Sequence, residues 1–181
     1  MIIALTGTPG TGKTTICDSL KKQFKIIDLN RLVIENGLHL GQDEKRGSLI
    51  ADLDALKEKV HAILKDETSN VVIEGHLSHY LSCYDAVIVL RTHPNVLGQR
   101  LETRGYAREK IIENIEAEAL DVILIEAVEL CEKVYEVETT TSTPTQASLE
   151  IQSVIQLVEA KDFGKLEKYL PGRFDWSEEV F

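Results

Sequence analysis

The sequence predicts an α/β fold, a three-layer sandwich built around a largely parallel sheet of about five strands. Short β-branched apolar runs recur along the chain, at Ile2-Ile3-Ala4-Leu5-Thr6, Val71-Val72-Ile73 and Ala86-Val87-Ile88-Val89-Leu90. They are continuously apolar, as strands covered on both faces are. Segments with helical spacing separate them, and a glycine-rich turn joins the first strand to the first helix.

Each element follows from local pattern. After the first strand, Ile16, Leu20 and Phe24 recur every four positions from Lys13 onward and predict a helix with a narrow core stripe. Ile26-Ile27 predicts a second strand, and Asp28 can cap a helix running from Asn30 to Ile34. Gly37, Gly41 and Gly47 among mixed polar residues make 35–48 read as a loop or flexible flap. Leu53, Leu56, Val60 and Ile63/Leu64 restore helical spacing over 52–65. Pro94 suits the first turn of a helix that carries Val96, Leu97 and Leu101 and reaches Gly105. One long helix is expected from Ile111 to Val128, then a last strand at Val134-Tyr135-Glu136-Val137. A Thr/Ser/Pro-rich link over 139–145 leads to a helix through Ile151, Val154, Ile155 and Val158. The tail, 161–181, leaves this pattern and holds Tyr169, Phe174, Trp176 and Phe181. Packing over a sheet edge or helix and docking to a partner or second copy are both open for it.

Composition narrows the function. The chain of 181 residues suits one domain, and no apolar run approaches the roughly 20 residues of a membrane span. Its first residues run into the glycine-rich motif without a charged leader, so a cytoplasmic protein used as translated is expected. Cys17, Cys83 and Cys131 form no CxxC pair, which points to reduced thiols rather than a disulfide framework or zinc site. A formal charge of -10 argues against broad nucleic-acid binding, which needs clustered Lys and Arg. It suits contact with a basic protein better.

Gly7-Thr8-Pro9-Gly10-Thr11-Gly12-Lys13-Thr14 matches G-x-x-x-x-G-K-[ST] without a mismatch, between a predicted strand and a predicted helix. Its glycines let successive amides point inward at a polyphosphate, and the helix adds its positive end. Lys13 can then bridge the β- and γ-phosphates of a nucleoside triphosphate, the Thr14 hydroxyl is placed to ligate Mg²⁺, and Thr15 is a weaker candidate for the α-phosphate.

Strand ends supply the second half of the site, since ligands of open α/β sheets sit at the carboxyl ends of strands. Glu74, in Ile73-Glu74-Gly75-His76, is expected beside the metal, and His76 to orient an attacking water or stabilise transferred charge. Structural roles stay open for both. His79 is a weaker functional candidate, with loop packing as the favoured reading. Arg100, Arg104 and Arg108 recur at intervals of four and share a face if the segment stays helical, either as cationic fingers or as ion-pair partners of Glu102 and Glu109. Arg31 can clamp an acceptor phosphate or serve as a surface helix arginine.

With these motifs, Asp28-Leu29-Asn30-Arg31 and Arg100-Leu101-Glu102-Thr103-Arg104-Gly105-Tyr106, the chain resembles the nuclear-type adenylate kinase family, adenylate kinase isoenzyme 6 and its archaeal counterparts, from Met1 to about Glu126. The resemblance implies a P-loop NTPase of adenylate-kinase-like fold, with a flap over the monophosphate at about 30–53 and a lid over ATP at about 99–113. It implies that Gly10, Gly12, Lys13, Thr14 and Thr15 bind ATP, that Arg104 reaches it from the lid, and that Arg31 meets AMP or another nucleoside monophosphate. The family motif is Asp-x-His where this chain has Glu74-Gly75-His76, which leaves direct or water-mediated Mg²⁺ contact open. It further implies ATPase activity and a part in late 16S rRNA maturation, through transient, ATP-regulated binding of a small-subunit ribosomal protein. A kinase of the shikimate or gluconate type is the alternative.

Overall fold

The computed structural model describes residues 1–43, 47–82 and 84–179, so Cys83, Phe181 and residues 44–46 of the predicted flap lie outside the described residues. Five parallel strands form the main sheet: β1 (Ile2–Thr6), β2 (Lys25–Asp28), β5 (Val71–Glu74), β6 (Ala86–Arg91) and β7 (Val134–Glu138), in the order β2-β5-β1-β6-β7. The predicted α/β class and parallel sheet are both present. Register aligns the strand ends that matter: Asp28 and Leu5 both lie opposite Glu74, and Arg91 lies opposite Glu138.

Side-chain alternation explains why the strands read as unbroken apolar runs. Ile3, Leu5, Val72, Ile88 and Leu90 point to one face, under α1 (Lys13–Leu20) and α7 (Pro144–Ala160). Val71 and Ile73 point to the other, against α2 (Leu29–Asn36) and α3 (Leu53–Leu64), while Ala4, Val87 and Val89 meet α6 (Val122–Leu130). Capping sets helix starts. Asp28 accepts the Arg31 amide at 3.0 Å, Asp52 accepts that of Ala55 at 3.1 Å, and Thr143 with Gln146 closes a capping box ahead of Pro144.

Three segments depart from the sequence reading or complete it. The stretch expected as a loop contains an antiparallel hairpin, β3 (His39–Asp43) and β4 (Ser48–Ala51), which stands apart from the main sheet and exposes Leu40, Leu49 and Ile50. The single helix expected over 111–128 is two helices, α5 (Arg108–Ala119) and α6. Asp121 separates them at φ 57°, a left-handed conformation that Asp tolerates better than most residues. The tail folds back through α8 (Phe163–Leu166): Tyr169 joins the core under α7, and Phe174 stacks on Trp176 with ring centroids 5.5 Å apart. Among the described residues, no helix is long and apolar enough to cross a membrane.

Candidate active site

The glycine-rich motif forms the turn between β1 and α1. Gly7 is irreplaceable on steric grounds, since at φ 135° a Cβ would lie 2.5 Å from the Leu90 carbonyl oxygen. Gly12 precedes α1 at φ 101° and has no side chain to cap it, so the first-turn amides of α1 are left for an anion. Lys13 turns back across the loop, its Nζ donating to the carbonyls of Gly7 (2.6 Å) and Thr8 (3.1 Å). Burial brings its pKa down to about 8, against the opposing pull of Glu74 and Glu118.

Thr14 Oγ1 donates to Glu74 Oε1 at 3.1 Å. The other carboxylate oxygen, Oε2, is buried and has no hydrogen-bond partner. Burial and the neighbouring Asp28 raise the Glu74 pKa. An acceptor in that state, beside a threonine hydroxyl and an anion-binding turn, fits a hard cation such as Mg²⁺ or its water. His76 follows within two residues, its pKa pushed down to about 4 by burial, Lys13 and His79, so its imidazole is neutral near pH 7.

Three cavities adjoin this turn. One of about 550 Å³ is lined by Gly10, Gly12, Thr15, Arg100, Arg104 and Thr139 among others. The second, about 490 Å³, brings together Gly10, Gly12, Lys13, Thr14, His76 and Arg104, and is lined by Asn30 and Ser48 as well. A third of about 300 Å³ is lined by Thr14, Asp28, Arg31 and Glu74. Arg104 therefore borders the first two, and Thr14 the last two. Arg31 lines only the third among these, exposed and paired with Glu35 at 2.6 Å.

Arg100, Arg104 and Arg108 do not share one helix face, although Arg100 and Arg104 line the first cavity together. Helix α4 (Pro94–Thr103) ends before Arg104, and Arg108 opens the separate helix α5. Arg100 donates to the carbonyls of Thr139 (2.6 Å) and Thr140 (3.3 Å), which ties α4 to the end of β7. His79 is buried, with Nδ1 3.0 Å from Thr6 Oγ1 and Nε2 3.2 Å from Glu126 Oε2, so it packs and bonds the turn after β5.

Residues 3–121 match the family model described as AAA domain. Two curated relatives, from Methanosarcina mazei and Thermococcus gammatolerans, both bear the name "Putative adenylate kinase". The first is 42% identical, covering 99% of this chain and 100% of its own; the second is 43% identical, covering 98% and 94%. The chain belongs to this archaeal adenylate kinase family. Solved shikimate kinases from Bacteroides thetaiotaomicron and Acinetobacter baumannii share the fold, at TM-scores of 0.58 and 0.59 and identities of 20% and 18%. They cover 87% and 88% of this chain and 99% and 93% of their own.

In this adenylate kinase family member, the structure also gathers residues that sequence reasoning missed. Arg91, 1% exposed at the end of β6, binds Glu118 (Nε to Oε1, 3.1 Å), Glu136 (2.6 Å) and Asp121. Glu118 also accepts the Thr8 hydroxyl of the phosphate loop. A charged residue closing a buried apolar strand was the available signal for Arg91. Glu118 offered none, lying in a helix rich in glutamate.

The Lys13 pKa gives a pH prediction. Phosphate contact requires the ammonium form, whereas the free loop loses that proton as pH rises through about 8. ATP affinity is expected to be flat below this and to fall above it, by up to about tenfold per pH unit, with proton uptake on binding. Calorimetry between about pH 7 and about pH 9.5 in two buffers of different ionisation heat checks it; constant affinity without proton uptake contradicts it.

Proposed function

We propose that the protein is a nucleoside monophosphate kinase that moves the γ-phosphoryl group of ATP to AMP or another nucleoside monophosphate, with Mg²⁺. The observation that carries this reading is the shared position of Thr14, which borders both the cavity holding Lys13 and Arg104 and the cavity holding Arg31 and Glu74. On this reading one anion-binding turn adjoins a donor chamber and an acceptor chamber. A protein that only hydrolyses ATP needs one.

The chemistry follows from the residues. Amides from Gly10 to Thr15 and the Lys13 ammonium hold the β- and γ-phosphates, and Arg104 approaches the same phosphates from 99–113, the lid of this reading. Thr14 and Glu74 would hold Mg²⁺, which neutralises charge on the transferred group. Arg31, released from Glu35, binds the acceptor phosphate, whose oxygen attacks γ-phosphorus as the bond to the ADP oxygen breaks. The hairpin in 30–53 and the lid exclude competing water when both close.

The test is direct. Mg-ATP is mixed with each nucleoside monophosphate in turn and with shikimate, and diphosphate and ADP are measured by chromatography. Formation of nucleoside diphosphate is the expected result. ADP release at the same rate with and without any monophosphate overturns the reading.

A second role accompanies the first. Neutral His76, in the cavity with Lys13 and Thr14, is able to orient water for ATP hydrolysis. By family resemblance such hydrolysis serves 16S rRNA maturation through a small-subunit ribosomal protein, and the charge of -10 suits a basic partner. Pull-down of ribosomal proteins with and without ATP is expected to show nucleotide-dependent capture; equal capture in both states counts against it, because a ligand must favour one state to shift binding.

A further inference from the structure

We propose that Glu118 is a positioning residue for the phosphate loop, acting through the hydroxyl of Thr8. The inference rests on the reading that this loop holds ATP.

Thr8 is the point where the loop's internal bonds converge. Its carbonyl accepts the Thr11 amide at 3.2 Å, the Thr11 hydroxyl at 2.9 Å and Lys13 Nζ at 3.1 Å. Wherever the Thr8 peptide sits, the resting places of Thr11 and Lys13 follow. Its side chain is fully buried and donates away from the loop, to Glu118 Oε2. Pro9 follows, with no amide hydrogen to offer as a second tether.

Glu118 is itself rigidly held. Its Oε1 accepts the Thr92 amide at 2.9 Å and Arg91 Nε at 3.1 Å, and the side chain is 3% exposed. Arg91 is in turn fixed by Glu136 at 2.6 Å, by Asp121 and by Trp176, whose ring lies 5.0 Å from the guanidinium carbon. The carboxylate therefore anchors one side of the loop. The other side is tied where Thr139 Oγ1 donates to the Thr11 carbonyl at 2.9 Å. Glu118 belongs to the last turn of α5, the helix that begins within the proposed lid, so the anchor joins the loop to the base of the lid.

A charge-assisted hydrogen bond in a buried site orders both partners strongly. Without it the Thr8-Pro9 peptide gains freedom, and the amides must be ordered again each time a polyphosphate binds. Thr8→Val, which keeps the shape and removes the hydroxyl, is expected to weaken ATP binding about tenfold by calorimetry. The KM for the acceptor, bound in the Arg31 chamber, is expected to stay at the wild-type value, and Thr8→Ser to restore ATP affinity. Glu118→Gln is expected to weaken ATP binding as well, and the double variant to be no weaker than the weaker single variant. Should Glu118→Gln not fold, the comparison of Thr8→Val with Thr8→Ser decides.

Wild-type affinity in Thr8→Val, or losses that add in the double variant, overturn the inference. If the wild-type protein binds no ATP, the functional reading falls and the inference with it; if wild type and Thr8→Val bind ATP equally, the functional reading stands and the inference falls.

Discussion

Lys13→Ala is expected to lower turnover of ATP by about 100-fold or more, with or without an acceptor, the scale seen when one preorganised electrostatic contact to a transition state is lost. Lys13 Nζ rests on the carbonyls of Gly7 and Thr8, at 2.6 and 3.1 Å, over the turn that would receive the phosphates. Alanine leaves the glycines and the α1 amides in place, so weak binding survives while charge stabilisation is lost. Steady-state assays with ATP as the varied substrate check this. Turnover within a few-fold of wild type would move the chemistry away from the loop. Thermal stability should not fall with activity, because burial already disfavours the charged form of this lysine.

Arg91→Ala is expected to be the most destabilising single change at the site, by about 3–5 kcal/mol, which is the cost of leaving buried charge without its partner. Glu118 and Glu136, 3% and 0% exposed, would keep their carboxylates with no cation between them, and Asp121 would lose its guanidinium contact. For a chain of this size that corresponds to a drop in Tm of roughly 6–20 °C. Arg91→Lys keeps the charge but not the planar fork that reaches three carboxylates, so an intermediate loss is expected. Calorimetric melting checks the order wild type, Lys, Ala. The single tryptophan, Trp176, sits over this guanidinium, so its emission should shift in both variants even before melting. An Arg91→Ala protein that melts with wild type would show that the buried network contributes little.

How much of the site could be read from the chain depends on range. The phosphate loop needs only eight consecutive residues with a strand before and a helix after, all local features, and so it was legible. The placement of Glu74 and His76 beside the loop was readable because a carboxyl strand end in a parallel sheet faces the ligand edge. The hairpin of 39–51 was not, because pairing such as Gln42 with Leu49 runs between strands whose glycines and polar residues resemble a loop. The break at Asp121 was also hidden: neither glycine nor proline marks it, and the left-handed turn is held by Arg91, 30 residues away. That Arg100, Arg104 and Arg108 do not share one helix face was hidden for a similar reason. Equal spacing places side chains on one face only while the helix lasts, and α4 ends at Thr103.

By itself the sequence determined the α/β class, the phosphate-binding turn, the strand-end carboxylate and the apolar faces that bury the sheet, since each depends on residues adjacent along the chain or on a fixed period. Only the tertiary structure decided that Thr14 borders two chambers, that Arg100 ties β7 to α4, and that Glu118 holds Thr8. Those outcomes depend on which remote groups meet in the buried interior, where every buried charge must find its partner and no local pattern says which one.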